Sequence, residues 1–289
     1  MIDFPLLTEI EAHQYLFREV PSDSLFIETI KGFYQRHGRP FIFRDEHDPY
    51  SVLLSEVMLQ QTQTARVIEK YHLFKDRWPS FKELAEEGLD EILRAWKGLG
   101  YNRRALYLKK SAELTRAWNW TIPNNEAVMR SLPGVGKATA AALLAFSYQE
   151  KAIYLETNIR RVLLHTFFGD ETNVHDRVLE EVLGRLIGRI DDPRLWYYAL
   201  MDYGVLLKAL IPNPNTKSAH YTKQSRFEGS KRQVRSALLH YLAEEGSSST
   251  EGIEEALSGY KREYLKQSID ELLTEGFLAA DGGILSIRE

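Results

Sequence analysis

The sequence predicts a mainly α-helical protein that ends in a small winged-helix-like domain, and three observations lead to this fold class. Apolar residues recur at helical spacing up to about residue 211, without a convincing strand-like alternation. A glycine turn at 132–136 separates two helical segments. After residue 230, three helical segments precede an Asp-Gly-Gly turn between two apolar runs, which is typical of a β-hairpin.

The composition is that of a globular protein and excludes several classes of site. The net charge of −4 argues against a nucleic-acid binder that depends on charge alone, although it permits one basic face. The absence of cysteine excludes disulfides, thiolate zinc sites and an iron–sulfur cluster. The histidines lack metal-ligand spacing, so we predict no catalytic metal and no cofactor. With neither a membrane-spanning run nor a signal pattern, we expect a cytoplasmic protein without membrane contact.

Residues 50–74 predict one helix, a polar break and a second helix, with Asp48-Pro49 as the helix entrance. Glu56 lies among apolar neighbours in the first of these helices. Partial burial would raise the pKa of this carboxyl towards the range that a general acid needs, although a lone Glu is also typical of a solvent-exposed helix face. Gln60 and Gln61 begin the polar break, where amides could read base edges or form a solvated turn.

A second group of candidates follows the break at 98–100. Tyr101 lies next to Arg103 and Arg104, and basic groups beside an exposed aromatic suit phosphate contacts and a wedge into the duplex. The same pattern also fits a basic helix face with Tyr101 in the core.

The glycine turn consists of Leu132, Pro133, Gly134, Val135 and Gly136. A glycine turn that leads into a helix start leaves several N–H groups pointing the same way, which favours an anion such as a backbone phosphate. The turn alone is equally compatible with an ordinary corner between two helices. A short apolar run after the second helix ends on a carboxylate, that of Glu156.

The chain divides into predicted domains at 1–229 and 230–289. Residues 212–229 form a basic seam that carries Lys217, Lys223 and Arg226, and the sequence does not decide between a linker and a DNA-facing segment. The last helix of the C-terminal domain mixes basic and acidic residues, so its partner is unknown and a protein-facing role is as compatible as DNA binding.

Four motifs carry a resemblance to a known family. They are SEVMLQQTQ (55–63), WKGLGYNRRA (96–105), LPGVGKATAAAL (132–143) and LETNIRRVL (155–163). As a set, over roughly residues 26–210, they resemble the helix-hairpin-helix DNA glycosylases, and within them the A/G-specific adenine glycosylases. The resemblance implies a two-lobed helical core, a monomer, and double-stranded DNA with a mispaired or damaged base as the partner.

The resemblance also implies roles for single residues. Glu56 matches the general acid that protonates the leaving base, and Asn158 matches an Asn near that site. Glu156 stands where the family carries the Asp that stabilises the developing sugar cation. Tyr101 matches the wedge, and Gln60 and Gln61 fall near the opposing base.

The hairpin is expected to contact DNA as well. The resemblance implies a backbone phosphate on the turn, and a monovalent cation bound by the carbonyls of 132–136. The implied contacts are Leu132, Gly134, Val135, Gly136, Lys137 and Thr139. Ala138 stands where bifunctional relatives such as endonuclease III carry the Schiff-base Lys, and Lys137 is about 100° away around the helix. We therefore predict a monofunctional glycosylase without lyase chemistry.

Three departures from the family pattern bear on the substrate. Glu156 is one methylene longer than Asp, the four-cysteine cluster is absent, and a winged-helix-like segment replaces the domain that recognises oxidised guanine. The resemblance as a whole still predicts a base-excision glycosylase, with adenine opposite 8-oxoguanine as the first substrate to test. The alternatives are a glycosylase for deaminated bases (uracil, thymine opposite guanine, hypoxanthine) and a non-catalytic protein that binds distorted DNA.

Overall fold

A computed structural model describes the chain at residue 4 and over residues 7–222 and 226–288. The regular secondary structure of these residues consists of helices and one three-stranded sheet near the C-terminus, which confirms the mainly α fold class. Lys223, one of the basic residues predicted to line the seam, lies outside the described residues.

Short connections join the helices and strands of the described residues. In chain order the α-helices are Glu9–Gln14 (α1), Asp23–His37 (α2), Pro49–Leu59 (α3), Thr64–Arg77 (α4), Phe81–Glu86 (α5), Leu89–Trp96 (α6), Arg103–Thr115 (α7), Glu126–Ser131 (α8), Lys137–Tyr148 (α9), Thr157–Phe167 (α10), Asp176–Ile187 (α11), Pro193–Leu210 (α12), Lys231–Glu245 (α13), Thr250–Ala256 (α14) and Arg262–Glu275 (α15). The strands are Ser247–Ser249 (β1), Leu278–Asp281 (β2) and Ile284–Ile287 (β3).

The start of α3 follows directly from its sequence. The Asp48 side chain accepts a hydrogen bond from the Ser51 N–H at 3.0 Å, which satisfies one of the donors that a helix start leaves unpaired. Pro49 takes the first helical position, where its missing N–H costs nothing. The helix, polar break and second helix predicted over 50–74 are confirmed as α3, a turn and α4.

Contacts between residues divide the chain into two units, each assembled from two separate segments. Unit 1 comprises Met1–His47 and Gly136–Lys223, and unit 2 comprises Asp48–Val135 and Gln224–Glu289. The domain boundary predicted at 229/230 lies within unit 2. The C-terminal residues therefore belong with the segment that carries Glu56.

In unit 1, large aromatic side chains fill the space between α2 and α12. Phe33 lies edge-on to Tyr203 with ring centroids 5.7 Å apart, and Phe26 lies edge-on to Trp196 at 6.0 Å. All four rings are buried. Helix α10 also packs along α12. Since burial of such rings contributes several kcal/mol each, these contacts hold the start of α10 in a fixed place.

In unit 2, the core forms where α3, α4 and α6 meet. Phe74 lies edge-on to Trp78 at 4.8 Å and to Trp96 at 5.6 Å. The Tyr50 hydroxyl donates to the Trp78 carbonyl, which ties the start of α3 to the end of α4. Helix α3 is therefore enclosed along most of its length.

The C-terminal module, which we define as residues 226–288, contains α13, β1, α14, α15, β2 and β3 in that order. Strand β3 lies in the middle of the sheet and pairs antiparallel with both neighbours. Gly282 and Gly283 have φ of 55° and 86°, which a two-residue turn between β2 and β3 requires. The predicted hairpin is confirmed, and the order of elements is that of a winged helix. Strand β1 is all serine and gave no strand signal in the sequence.

The C-terminal module packs on the rest of unit 2 through α13 and α6. The Arg94 Nε donates to the Ala243 carbonyl at 2.5 Å, and Lys97 forms an ion pair with Glu244 at 2.5 Å. Hydrogen bonds from a side chain to a helix-end carbonyl satisfy an acceptor that the helix itself leaves open. The module therefore attaches by directional contacts beside the turn that leads to Tyr101.

The described part of the seam, residues 212–222, is packed rather than extended as a linker. A short 3₁₀ helix over Pro214–Lys217 buries Asn215, whose Nδ2 donates to the Thr157 carbonyl at 3.3 Å. Val174 and Ser218 form a parallel β-bridge. This part of the seam thus belongs to unit 1 and contacts the first turn of α10.

Candidate active site and DNA-contacting turns

Glu56 occupies a distinctive position on α3. Every other residue from 50 to 58 is buried, whereas Glu56 is half-buried. A solvent-exposed amphipathic helix would show a broad polar face, and α3 does not. The predicted partial burial of Glu56 is confirmed.

Glu156 is the N-cap residue of α10 and is held by hydrogen bonds. Its Oε1 accepts from the N–H groups of Asn158 at 2.7 Å and Ile159 at 2.8 Å. The Glu side chain is long enough to fold back onto its own helix start, a role that shorter side chains fill more often. Burial raises the pKa of Glu156 above 4.5, while the two N–H donors and nearby arginines act in the opposite direction.

Asn158 connects this carboxylate to a buried cation that the sequence analysis did not single out. The Asn158 Nδ2 donates to Glu156 Oε2 at 3.2 Å, and its Oδ1 accepts from Arg161 Nη1 at 2.7 Å. Arg161 is 6% exposed and also donates to the Gly204 carbonyl at 2.9 Å. Glu156, Asn158 and Arg161 therefore form one continuous network within unit 1.

Gly204 allows this network to form, because α12 passes very close to α10. A Cβ on Gly204 would lie 2.5 Å from the Asn158 carbonyl oxygen and 2.7 Å from the Asn158 Cβ. Two sequence signals could have found these residues. Arg161 lies three positions after Asn158, on the same helix face, and a glycine in the middle of an apolar helix such as α12 usually has a packing reason.

The structure corrects the phosphate contact that the sequence predicted for Arg104. This residue is 8% exposed, and its guanidinium donates to five backbone carbonyls and to one hydroxyl. The acceptors are the carbonyls of Val57, Met58, Gln60, Leu99 and Gly100 and the hydroxyl of Thr62. Burial lowers the pKa of Arg104 to about 10. We therefore assign Arg104 to joining the two turns at 60–62 and 98–101, in place of the predicted phosphate contact.

The two turns that Arg104 joins carry the other predicted DNA contacts of unit 2. Gln60 is half-buried and ends α3, with its carbonyl 2.6 Å from Arg104 Nη1. Gln61 is exposed and has φ of 55°, so it projects from a tight turn. Tyr101, with φ of 48°, is half-buried and follows Gly100, which has φ of 70°. The structure therefore brings Gln60, Tyr101 and Arg104 together.

Arg103 is exposed but is engaged by the C-terminal module. Its guanidinium forms an ion pair with Glu275 of α15, including a contact from Nε at 3.2 Å. An exposed pair of this kind contributes about 0–1 kcal/mol. The phosphate contact predicted for Arg103 therefore requires an exchange of Glu275 for phosphate, at a small cost in free energy.

The glycine turn at 132–136 joins α8 and α9 as predicted, and only one of its glycines is sterically required. Gly134 has φ of 76°, and a Cβ there would lie 2.8 Å from the Tyr107 ring. Around Gly136 there is space for a Cβ. Leu132 and Val135 are buried, so their contribution to DNA contact is limited to the backbone.

The carbonyls of this turn are partly used within the protein. The Leu132 carbonyl accepts from the Val135 N–H at 3.1 Å, and the Pro133 carbonyl accepts from the Ser111 hydroxyl at 3.1 Å. Each carbonyl keeps a second lone pair. The monovalent cation over 132–136 stays a prediction.

The first residues of α9 differ in what they can offer to a ligand. Lys137 is exposed and pairs with Glu180 at 2.6 Å, and Ala138 is exposed. Thr139 is 7% exposed, so its side chain faces the interior of unit 1 rather than solvent. The first N–H groups of a helix lack partners within the helix, and these backbone groups are what α9 offers to a phosphate.

The chain offers no ligands for the family's iron–sulfur cluster, because it contains no cysteine. Across the described ranges, no group of three His, Asp or Glu side chains is arranged to hold a metal ion. In the same part of the chain, no helix combines the length and the apolar character of a membrane span. Beyond the undescribed residues 223–225, Arg226 pairs with Glu228 at 2.8 Å.

The predicted catalytic residues thus fall in two groups, one in each unit, whereas the glycine turn at 132–136 contains the boundary between the units. Glu156 and Asn158 lie together at the start of α10 in unit 1. Glu56 lies in unit 2 on the helix that leads to the turn at 60–62.

Comparison with known proteins gives one family-model match over part of the chain and matches to several named relatives. Residues 54–186 match the family model of the HhH-GPD superfamily base excision DNA repair proteins. The chain is 36% identical over 195 residues to an adenine DNA glycosylase of Buchnera aphidicola (subsp. Baizongia pistaciae), covering 66% of this chain and 54% of that one. It is 37% identical over 143 residues to an adenine DNA glycosylase of Mycobacterium tuberculosis, covering 49% and 47%. The chain therefore spans about half the length of the curated relatives that it matches.

A solved structure is similar over a comparable part of the chain. The structure of a thermostable thymine-DNA glycosylase superposes with a TM-score of 0.58 and 28% sequence identity. The match covers 63% of this chain and 85% of the other.

Proposed function

We propose that this chain, whose residues 54–186 match the family model of the HhH-GPD superfamily base excision DNA repair proteins, is a monofunctional DNA glycosylase. It hydrolyses the N-glycosidic bond of a mispaired base in double-stranded DNA, and adenine opposite 8-oxoguanine is the first substrate to test. The similarity to proteins named adenine DNA glycosylases supports adenine as the base. The observation that carries the proposal is the half-buried carboxyl of Glu56 on an otherwise buried helix.

Glu56 supplies the proton in this mechanism. Glu56 is half-buried within the otherwise buried residues 50–58, and a positioned carboxyl is one of the groups that act as general acids. The proton moves from the carboxyl to a ring nitrogen of the leaving base as the bond from the base to C1′ of the sugar breaks. Water then adds its hydroxyl to C1′, and its remaining proton returns to Glu56.

Glu156 supplies negative charge where positive charge develops on the sugar. Its Oε1 is fixed by two N–H groups, so the carboxylate does not need to reorganise during the reaction. Asn158 and Arg161 restrain the second carboxylate oxygen through one chain of hydrogen bonds. Both roles concern one nucleoside, so the proposal requires both carboxyl groups to reach it.

The absence of lyase chemistry is part of the proposal. A lyase needs a nucleophilic amine in the site to form a Schiff base with the sugar. Ala138 has no amine, and the Lys137 ammonium is engaged in an ion pair with Glu180. Borohydride trapping of a covalent protein–DNA adduct would contradict this part of the proposal.

A panel of duplexes with one lesion each tests the function. The protein is incubated with each duplex, and alkali then cleaves the strand wherever a base has been removed. Cleavage of the adenine strand opposite 8-oxoguanine, but only after alkali, supports the proposal. Binding without abasic sites on any duplex would instead indicate a non-catalytic protein that binds distorted DNA.

A second substrate class is favoured by a specific observation. The similarity to a thermostable thymine-DNA glycosylase supports removal of thymine opposite guanine, and by extension of other deaminated bases such as uracil or hypoxanthine. The longer side chain of Glu156 also reshapes the part of the site that the sugar occupies. Cleavage restricted to these duplexes of the panel would select this class.

A further inference from the structure

Tyr101, the predicted wedge, does not stand alone on the surface of unit 2. Its hydroxyl accepts a hydrogen bond from Arg232 Nη1 at 2.7 Å, and Arg232 belongs to the C-terminal module. The Arg232 guanidinium carbon lies 5.5 Å from the centroid of the Tyr101 ring. The C-terminal module therefore places a cation directly against the wedge residue.

The contact continues outward to a second aromatic ring. The Arg232 guanidinium carbon lies 6.0 Å from the centroid of the Phe227 ring, and that of Arg104 lies 5.6 Å from the Tyr101 ring. Arg104, Tyr101, Arg232 and Phe227 thus alternate guanidinium and aromatic groups in one row. The row begins at a side chain that is 8% exposed and ends at Phe227, which is 50% exposed.

The outer end of this row has the chemistry of a stacking site for unpaired bases. An exposed aromatic ring in a polar segment leaves an apolar face in water, and a nucleobase can cover that face. A neighbouring guanidinium can stack on the base or contact the adjacent phosphate. The first turn of α13 adds Lys231, which forms an ion pair with Glu271 of α15 at 2.5 Å.

The conformation of Tyr101 indicates a fixed position. Non-glycine residues with positive φ are uncommon and persist where surrounding contacts hold them. Here Tyr101 has φ of 48°, and the guanidinium groups of Arg104 and Arg232 both lie within 6 Å of its ring centroid. Cation–π contacts of this kind restrain the ring on the sides that they cover.

We propose that Tyr101, Arg232 and Phe227 form one surface that stacks on unstacked bases of lesion-containing duplex DNA. In this surface the C-terminal module supplies the cation and the outer aromatic ring. The proposal rests on the proposed function, since it concerns DNA that carries a lesion. It gives the C-terminal module a direct part in the recognition of the bases next to the lesion.

Fluorescence anisotropy tests the proposal without any need for catalysis. The probe is a duplex with a tetrahydrofuran abasic analogue, compared with its fully paired counterpart. Phe227→Ala and Arg232→Ala are each expected to weaken binding to the analogue duplex by about 10-fold and to weaken binding to the paired duplex much less. Phe227→Trp keeps a stacking ring and is expected to bind as the wild type does.

Two control variants separate stacking from other effects. Tyr221→Ala removes another exposed aromatic ring of the chain, and Arg262→Ala removes an exposed positive charge of the same module. Both are expected to change the affinity for the analogue duplex by less than about 2-fold, because exposed charges and rings outside a contact contribute little. If Arg262→Ala and Arg232→Ala lose the same affinity for the analogue duplex, the loss reflects net charge rather than stacking, and the inference is overturned.

The remaining outcomes are also decisive. Unchanged affinity in both Phe227→Ala and Arg232→Ala overturns the inference. Tighter binding by Arg232→Ala also overturns it, because Arg232 would then restrain Tyr101 rather than contact DNA.

Excision by the wild type separates this inference from the proposed function. If the wild type excises a base and the two variants bind like it, only this inference fails. If the wild type excises no base but the variants lose affinity for the analogue duplex, the stacking surface stands and the proposed function fails. A wild type that binds neither duplex overturns both.

Discussion

The two candidate catalytic carboxylates are fixed in place by opposite means. Glu56 lies within a helix whose neighbouring residues are all buried, so apolar packing sets the position of its backbone. Glu156 lies at a helix start, where two N–H groups and an amide bind the carboxylate itself. The Glu156 carboxylate is thus held directly by named donors, whereas the position of Glu56 is set by its place among the buried residues 50–58 of α3. The directly held carboxylate of Glu156 is the one proposed to stabilise charge on the sugar, and Glu56 is the one proposed to supply the proton.

The largest effect is expected from Glu56→Gln. The amide keeps the size of the side chain but has no proton to give, so we expect the excision rate to fall by about 10³-fold with nearly unchanged DNA affinity. Single-turnover rates on the substrate selected by the duplex panel measure the effect. Glu69→Gln, an exposed glutamate on α4, is the matched control and is expected to keep the wild-type rate. Full activity in Glu56→Gln would refute the assigned acid.

Glu156→Gln is expected to lower the same rate by about 10²-fold, since it removes the charge and keeps an oxygen that can cap α10. Thermal unfolding at neutral pH should therefore show no loss of stability, and this separates the loss of charge from a loss of structure. Glu156→Asp sharpens the comparison, because it keeps the charge and displaces it by about 1 Å or more. A loss of about 10²-fold in Glu156→Asp would show that the site is built around the longer side chain.

Gly204→Ala tests the network behind Glu156. The added Cβ would lie within 2.8 Å of Asn158 atoms, so α10 and α12 must separate. We expect a loss of stability of about 1–3 kcal/mol in denaturant unfolding, together with a lower excision rate. Gly184→Ala is the control in the same unit, because its Cβ would make an ordinary 3.5 Å contact with Ile153. That control is expected to be neutral or slightly stabilising, since alanine favours a helix.

The smallest effect concerns pH and stability. The pKa of Glu156 is raised in the folded protein above 4.5, its value without burial. The folded protein therefore holds more protons than the unfolded chain between pH 4.5 and the folded-state pKa, and stability falls as pH rises through that window. Glu156→Gln should abolish this slope. Thermal unfolding of wild type and variant between pH 4 and 7 measures the difference, and parallel curves would contradict the raised pKa.

The pKa of Glu156 also predicts how the excision rate depends on pH. Glu156 must be ionised to stabilise a cation, so the excision rate should fall as pH drops below its folded-state pKa. That acidic limb should lie above pH 4.5 and should be absent in Glu156→Gln. An acidic limb of equal position in both proteins would assign it to another group.

The sequence predicted the local features of the fold well, because caps, glycine turns and helical spacing act over a few residues. Asp48 at the start of α3, the glycine turn before α9 and the hairpin at Gly282 and Gly283 are examples. Partial burial of Glu56 also followed from its immediate neighbours. These are cases in which the determining contacts lie within about one helical turn.

The sequence did not predict features that depend on distant partners. Arg103 pairs with Glu275, which lies 172 residues away along the chain. Arg104 has the same charge and the adjacent position, yet its neighbours in space are the carbonyls of two turns. Neighbouring residues of a helix point about 100° apart, and only the packed structure shows which of the two arginines is buried.

The non-contiguous composition of unit 2 has a consequence for how the protein is made. The ribosome releases residues 48–135 long before residues 226–288, whose helix α13 covers α6. Until then, that face of α6 is open to water, and nascent chains with open apolar faces are prone to aggregation and to chaperone binding. A stop codon placed after residue 222 should therefore yield an aggregation-prone product, even though every residue of unit 1 that the structure describes would have been synthesised.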